Sequence, residues 1–258
     1  EYYYGIHVDG QLISPDRIND FLAADGSFTH HDDLSDFLTA VQTGSIDNNW
    51  GNPGPDDNVQ PDQINFSIMA PGTIFTMANE QYRYLENLGN RNHMIIRNHV
   101  TPALSFNAQN AYLDSWYTGE LASEVRAMVQ PVRENFVTGN VENASITWSE
   151  AWRWLPDNID DFPEVAADVT QVDASGTRRA FALSLADVAR LSGPGRAFPS
   201  RTSREAPNFM WWWTRTPAVL GESAWDVNRS EMSGMLSNRA ANNVSAVGGV
   251  RPALIIRQ

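Results

Sequence analysis

The chain holds no cysteine in 258 residues. No disulfide can staple it and no thiolate can ligate a metal or act as a nucleophile, so the fold must rest on a buried apolar core. The means are present: hydrophobic residues make up 42% and charged residues 19%, with nine tryptophans and eleven phenylalanines. Such a composition belongs to a globular chain and excludes disorder throughout. This length suits one large domain, or a compact domain with a smaller appendage. The missing cysteines leave the compartment open.

Charge narrows the partners. The net charge is −13 and the sequence pI is near 4.7, which disfavours phosphate neutralisation on nucleic acid and docking on an anionic membrane. All eighteen basic residues are arginine, a bias that a GC-rich genome produces and from which no function follows. No segment reaches the apolar length of a membrane span, so no membrane insertion is expected, and no basic-then-apolar leader opens the sequence. The sequence starts at Glu1 without Met, as a processed or trimmed form would.

The first 62 residues have their own pattern. Tyr2, Tyr3, Tyr4, Ile6 and Val8 predict a short strand ending at an Asp9-Gly10 turn. Ser14-Pro15 then reads as an N-cap with proline at the first helical position, before Ile18, Phe21 and Leu22, with Gly26 past the end. A second helix is predicted over Asp32 to Thr43, with Leu34, Phe37, Leu38 and Val41 at helical spacing. From Gly44 to Asp62 the chain turns to Gly, Asn, Pro and Asp, a long loop or linker.

Beyond it, alternation predicts a strand over Ile64, Phe66 and Ile68, another at Ile74-Phe75, and a buried one at Met94-Ile95-Ile96. Leu113 to Val129 reads as one helix, with Trp116, Leu121, Val125 and Met128 on one face. Thr147-x-x-Glu150 is a capping box ahead of Trp152 and Leu155; Ser184-x-x-Asp187 is another, after an apolar strand Ala180 to Leu183. Ser192 to Pro207 reads as loop. Strands close the chain at Met210 to Thr214, Ala224 to Ser230 and Val250 to Ile256.

Four segments carry a resemblance. They are Trp212-Trp213-Thr214-Arg215-Thr216-Pro217, Gly249-Val250-Arg251-Pro252-Ala253-Leu254, Ala180-Phe181-Ala182-Leu183-Ser184 with Asp187-Val188, and Ser115-Trp116 in its helix. In this order they resemble a bacterial family of C-type-lectin-like domains related to the formylglycine-generating-enzyme fold. The first two motifs are specific; the others are weak singly. The resemblance covers about 180 residues, counted from Ile74 onward. Formylglycine-generating relatives use cysteine chemistry, which this chain lacks. Physical chemistry assigns Trp212, Trp213, Arg215 and Arg251 to the scaffold: a guanidinium beside an indole at a strand end stacks on the ring and satisfies backbone carbonyls.

Between the two specific motifs lies a polar, Asn/Ser-rich stretch from Trp225 to Ser245. In some members of the family, the variable proteins of diversity-generating retroelements, this segment is diversified and forms the ligand-binding face. The resemblance therefore implies a ligand face here, and short polar residues on a rigid frame tolerate exchange. Trp225 is expected as a rigid aromatic anchor, with Asp226, Asn228, Ser230, Ser237, Asn238, Asn242 and Asn243 as adaptable polar contacts and Met232 and Met235 as soft apolar area. An ordinary solvated hairpin with Asn-rich turns is the competing reading.

Other signals carry less. His30-His31-Asp32-Asp33 offers metal-ligand chemistry, but consecutive residues cannot all face one ion, and the two aspartates suit a helix N-terminus. Gln60-Pro61-Asp62 copies a three-residue calcium and sugar motif of animal C-type lectins but precedes the matched domain; the acidic loop Asp56 to Asp62 could at most bind calcium weakly. Asn92-His93 and Asn98-His99 lack a catalytic partner at suitable spacing, and Glu142, Glu150 and Asp160-Asp161 are not distinguished from surface charge.

The expectation is therefore an α+β chain: a C-type-lectin-like ligand-binding domain over 63–258, and over 1–62 a small strand and two-helix segment serving attachment or oligomerisation. It binds a protein or glycan receptor on a cell surface, virion or secreted assembly, as a monomer or homo-oligomer, with no catalytic residues, metal or cofactor. An enzyme is one rival, either a hydrolase using scattered carboxylates or a metal-dependent one using His30 and His31, and a structural module of a surface or tail assembly is another.

Overall fold

The computed structural model describes residues 54–136, 138–149, 154–207, 209–228 and 234–258. The expected N-terminal strand, its two helices and His30 to Asp33 lie outside them. Strands β1 (Asn58–Val59), β2 (Ile74–Met77), β3 (Glu80–Gly89), β4 (Asn92–Arg97) and β5 (Thr101–Pro102) precede helices α1 (Gln109–Gly119), α2 (Ser123–Arg126) and α3 (Pro163–Ala166). Then come β6 (Ala180–Phe181), α4 (Leu185–Arg190), β7 (Trp211–Val219), β8 (Ser223–Asn228), β9 (Met235–Ala240), β10 (Gly248–Val250) and β11 (Ala253–Arg257).

The strands form two sheets, so the described residues are α+β. One sheet runs β1-β2-β3-β4-β11-β6, the other β5-β10-β7-β8-β9. Tight turns build the first sheet. Ala78 and Asn79 between β2 and β3, and Asn90 and Arg91 between β3 and β4, all have positive φ, the two-residue geometry that matches strand twist. Antiparallel β11 then pairs with β4 from Ala253↔Ile96 to Arg257↔Asn92. Gly248 and Gly249 run parallel to Trp211 and Trp212, while Gly249 also faces Pro102 of β5. Arg251 and Pro252 alone separate β10 in one sheet from β11 in the other.

Strands β4, β6, β7 and β11 are buried on both faces along most of their length, which explains why Met94-Ile95-Ile96 and Ala253 to Ile256 read as unbroken apolar runs. Met94, Ile96, Phe181, Trp212, Trp225, Val227, Leu236 and Ile255 share one core cluster. Ile95, Ala180, Trp211, Trp213, Leu254 and Ile256 belong to a second, together with Phe66, Phe75, Leu113, Trp116 and Val125. Residue by residue these four strands alternate between the two clusters.

Local departures from the sequence reading have local causes. The Ile64–Ile68 stretch is not a strand but lies among two 3₁₀ turns, Pro61–Gln63 and Phe66–Ile68. Pro61 opens the first, and the Asn65 side chain accepts from the Ser67 amide to cap the second, so its apolar alternation is one of turns. The single helix expected from Leu113 stops at Gly119 and resumes at Ser123, although Leu113, Trp116, Leu121 and Val125 still share one core. Trp148 bridges Pro156 in extended geometry, and the rest of the Thr147 box falls at 150–153, outside the described residues. The Ser184 box is present: Ser184 Oγ accepts from the Asp187 amide at 2.8 Å and Asp187 accepts from the Ser184 amide at 3.1 Å.

Candidate functional site

The frame is set by buried arginines. Arg215 sits on β7 with its guanidinium 3.9 Å from the Phe136 ring centroid. Its Nη2 donates to Asp168 at 2.7 Å, and its Nη1 donates to Asp187 at 3.0 Å, Thr170 at 2.8 Å and the Ala182 carbonyl at 2.8 Å. Burial works against ionisation of Asp187, yet Arg215, Arg190 and Thr170 together hold its carboxyl below the usual range. Burial prevails at Asp168 and raises it, with Arg215 opposing.

Arg251 stacks at 5.3 Å on Trp212 and donates to the Arg97 carbonyl at 2.7 Å, the Arg204 carbonyl at 3.4 Å and Asn98 Oδ1 at 3.2 Å. The Arg204 carbonyl also takes the Trp212 indole N–H at 2.9 Å. Arg204 itself is fully buried, 4.0 Å over Trp154, and donates to Ser192 Oγ at 2.9 Å and to the carbonyls of Gly234 and Trp154. Burial pushes it down to about 9. Trp212, Trp213, Arg215 and Arg251 are thus internal, joined to backbone and core.

The stretch from Trp225 to Ser245 forms β8, β9 and the turn after them, with Trp225 opposite Asn238, Asp226 opposite Ser237, and Asn228 opposite Met235. This register corrects the expected contact set. Trp225 is not a surface anchor: it is 0% exposed, donates its indole N–H to the Val141 carbonyl at 2.9 Å and lies 6.0 Å from the Trp148 ring. It points to the core because it alternates in phase with Val227 on β8, and both belong to the same apolar cluster.

Asp226 is likewise internal. It accepts from Ser237 Oγ at 2.7 Å and from Arg239 Nε, and burial raises its carboxyl while Arg239 opposes. Ser237, 8% exposed, is also turned inward by this pairing, so neither residue is a free polar contact.

Asn228, Met235, Asn238 and Asn243 are half-buried and Asn242 is exposed; Ser230 and Met232 lie outside the described residues. The structure brings Asp226, Asn228, Met235 and Ser237 together at one end of the hairpin. Asn238 faces the other side, beside Trp225, and Asn242 and Asn243 sit in the following turn, where the Asn243 amide donates to the Ala240 carbonyl at 2.9 Å.

Sequence reading missed two members. Arg239 is partly exposed, lies 4.2 Å over the Trp211 ring and is oriented by Asp226 beneath it. Its position two residues after Ser237 places it on the Asp226 side of β9, and that spacing was the available signal. Trp211 packs tightly over Gly248, where an added Cβ would fall 1.9 Å from the indole. An apolar rim adjoins this end: Met210, 38% exposed, donates its amide to the Val247 carbonyl at 2.7 Å, and Val247 and Val244 are exposed.

Among the described residues no group of three or more His, Cys, Asp or Glu is placed to hold a metal, and no helix is long and apolar enough to cross a membrane. Pro61 and Asp62 of the Gln60-Pro61-Asp62 triplet form a 3₁₀ turn whose Gln60 amide donates to Gln63 at 2.9 Å. His93 is buried, shares a 3.0 Å hydrogen bond with the Tyr84 hydroxyl, and stacks near Phe66 at 5.6 Å. It is a core histidine. Compared with known proteins, the chain matches no family model, no curated protein and no solved structure.

Proposed function

We propose that this chain is a ligand- or receptor-binding protein whose contact face is the β8–β9 hairpin and the turn at 241–247, carried on a C-type-lectin-like scaffold. One observation carries the reading: the hairpin has a locked stem and an open polar rim. Trp225, Val227 and Leu236 fix the stem in the core, and Arg204 holds the carbonyl of Gly234 at its start. Asn228, Met235, Asn238, Arg239, Asn242 and Asn243 keep part or all of their side chains in solvent. A rigid backbone under exchangeable polar side chains meets the requirement of a binding surface that varies without unfolding. The solvent-facing apolar side chains of Met210, Val244 and Val247 add the kind of area that binding sites desolvate.

In this reading the partner is a protein or glycan receptor, met at a cell surface or virion, and the hairpin corresponds to the diversified segment of a retroelement variable protein. Residues 1–62 serve attachment or oligomerisation. The test is a binding screen of the whole chain against glycans and bacterial surface proteins, beside a variant with Asn228, Asn238, Asn242 and Asn243 changed to alanine. Binding that the folded variant loses supports the reading; binding that survives places the site elsewhere. A near-copy of the Trp225–Leu254 coding segment next to a reverse transcriptase gene, differing at adenines, would establish the retroelement part.

A further inference from the structure

Among the described residues of the hairpin and the turn after it, 223–228 and 234–247, the acid is Asp226, which is fully buried, and the solvent-reaching charge is Arg239. Asp226 takes the Arg239 Nε–H, and the guanidinium lies 4.2 Å over the Trp211 ring, so its head group is held at one edge and one face. From its place opposite Ala224 the side chain runs toward Asp226 and Trp211, away from the exposed Glu222 that precedes β8. Its two terminal nitrogens make no hydrogen bond among the described residues. The side chain is 22% exposed, and those nitrogens are not among its sealed atoms.

A guanidinium carries five N–H donors in a rigid fork. With Nε turned to Asp226, the Nη1–Nη2 edge stays free, and its two parallel N–H groups match the two oxygens of a carboxylate. Trp211 and Asp226 restrict the head group before any ligand arrives, so less side-chain entropy is lost on binding. Asp226 also balances the charge of Arg239. An anion is therefore gripped by short-range paired hydrogen bonds and not drawn in by a net positive field. A polyphosphate backbone needs such a field, and on a chain of net charge −13 it is the poorer fit.

The surroundings decide what carries the carboxylate. A sugar packs its C–H face on an open aromatic ring, but Arg239 covers Trp211, and Trp213 and Trp225 are fully buried. The exposed large apolar side chains among the described residues include no aromatic, and three of them, Met210, Val244 and Val247, form the rim beside Trp211. A protein surface with an acid next to an apolar side chain meets both the fork and the rim. An acidic glycan meets the fork alone.

Resting on the reading of the hairpin as the contact face, we infer that Arg239 is its specificity-determining residue. The partner is a protein surface that presents an Asp or Glu carboxylate end-on to the Arg239 guanidinium, with a neighbouring apolar side chain against Met210 and Val247.

The test is selection of a randomised displayed peptide library on the immobilised whole chain, followed by titration of the enriched peptides and, in parallel, of sialyllactose as a carboxylate-bearing glycan. Enriched peptides are expected to share an acid next to an apolar residue, and replacing that acid by its amide to weaken binding about tenfold or more. Arg239→Lys, which keeps a cation for Asp226 but loses the planar fork, is expected to weaken it by about as much. So is Asp226→Asn combined with Arg239→Gln, which strands no charge; either variant serves if the melt of the other shows it unfolded. The inference is overturned by a library that enriches nothing, by enriched peptides that need no acid, or by sialyllactose binding more tightly than every peptide. Undiminished binding to a folded variant of Arg239, lost when Asn238, Asn242 and Asn243 are changed to alanine, overturns it alone. Undiminished binding to all of these variants sinks the hairpin reading as well.

Discussion

Arg204 donates to the carbonyl of Gly234 at 3.3 Å, tying the loop before β7 to the start of β9. Gly234 has φ of 73°, and a Cβ added there would lie 1.7 Å from the Arg201 carbonyl oxygen. Gly234→Ala is therefore expected to lower stability by at least about 2 kcal/mol, from a strained backbone and a clash with main chain together. The midpoint of urea unfolding checks this. A midpoint equal to wild type would mean that the turn and the Arg201 loop move apart freely.

Trp225 and Asn238 stand opposite one another on the hairpin yet have different duties. Trp225→Ala removes a fully buried indole and leaves the Val141 carbonyl without its donor, an expected loss of about 3–5 kcal/mol. Asn238→Ala is expected to change stability by no more than about 0.5 kcal/mol. Thermal or denaturant melts of the two variants decide it. Similar melts would contradict the separation of stem from rim.

Arg215 balances Asp168 and Asp187, both buried. Arg215→Met strands two carboxylates in the core, with an expected cost of about 3–5 kcal/mol. Unlike a surface ion pair, this one should resist salt: the wild-type unfolding midpoint should not fall when ionic strength rises at fixed pH.

His93 supplies a pH dependence of known sign. Burial lowers its pKa in the folded chain below the ordinary 6.5, so the unfolded chain takes up a proton that the fold resists. Its contribution is complete above about pH 6.5 and is lost as pH falls below it. The unfolding midpoint should drop between about pH 7 and about pH 5, and His93→Gln should flatten that slope. An unchanged slope would mean that His93 accepts its proton without cost to the fold.

What the sequence disclosed follows from how local each signal is. The Ser184–Asp187 box, the Met94–Ile96 strand and the scaffold role of Arg215 and Arg251 were legible, because a cap, an apolar run or an arginine among tryptophans has one dominant physical use. Glu80–Gly89 was missed as a strand because register shifts after Tyr84 and Asn87 break its alternation. Met235–Ala240 was missed because its polar side chains find partners within the sheet, as Ser237 and Arg239 do on Asp226. Trp225 was misplaced because amid polar residues it looked displayed, whereas its alternation in phase with Val227 turns it into the core.

Two residues, Arg251 and Pro252, carry the chain from β10 to β11, and with that step from one sheet to the other. The ten residues from Gly248 to Arg257 meet β5 and β7 on one side and β4 and β6 on the other. During synthesis, neither sheet can close until this stretch has left the ribosome. Until then β4 and β7 wait with exposed edges. The chain must stay soluble through a long interval of incomplete order, a burden that contacts so distant in sequence impose on any fold.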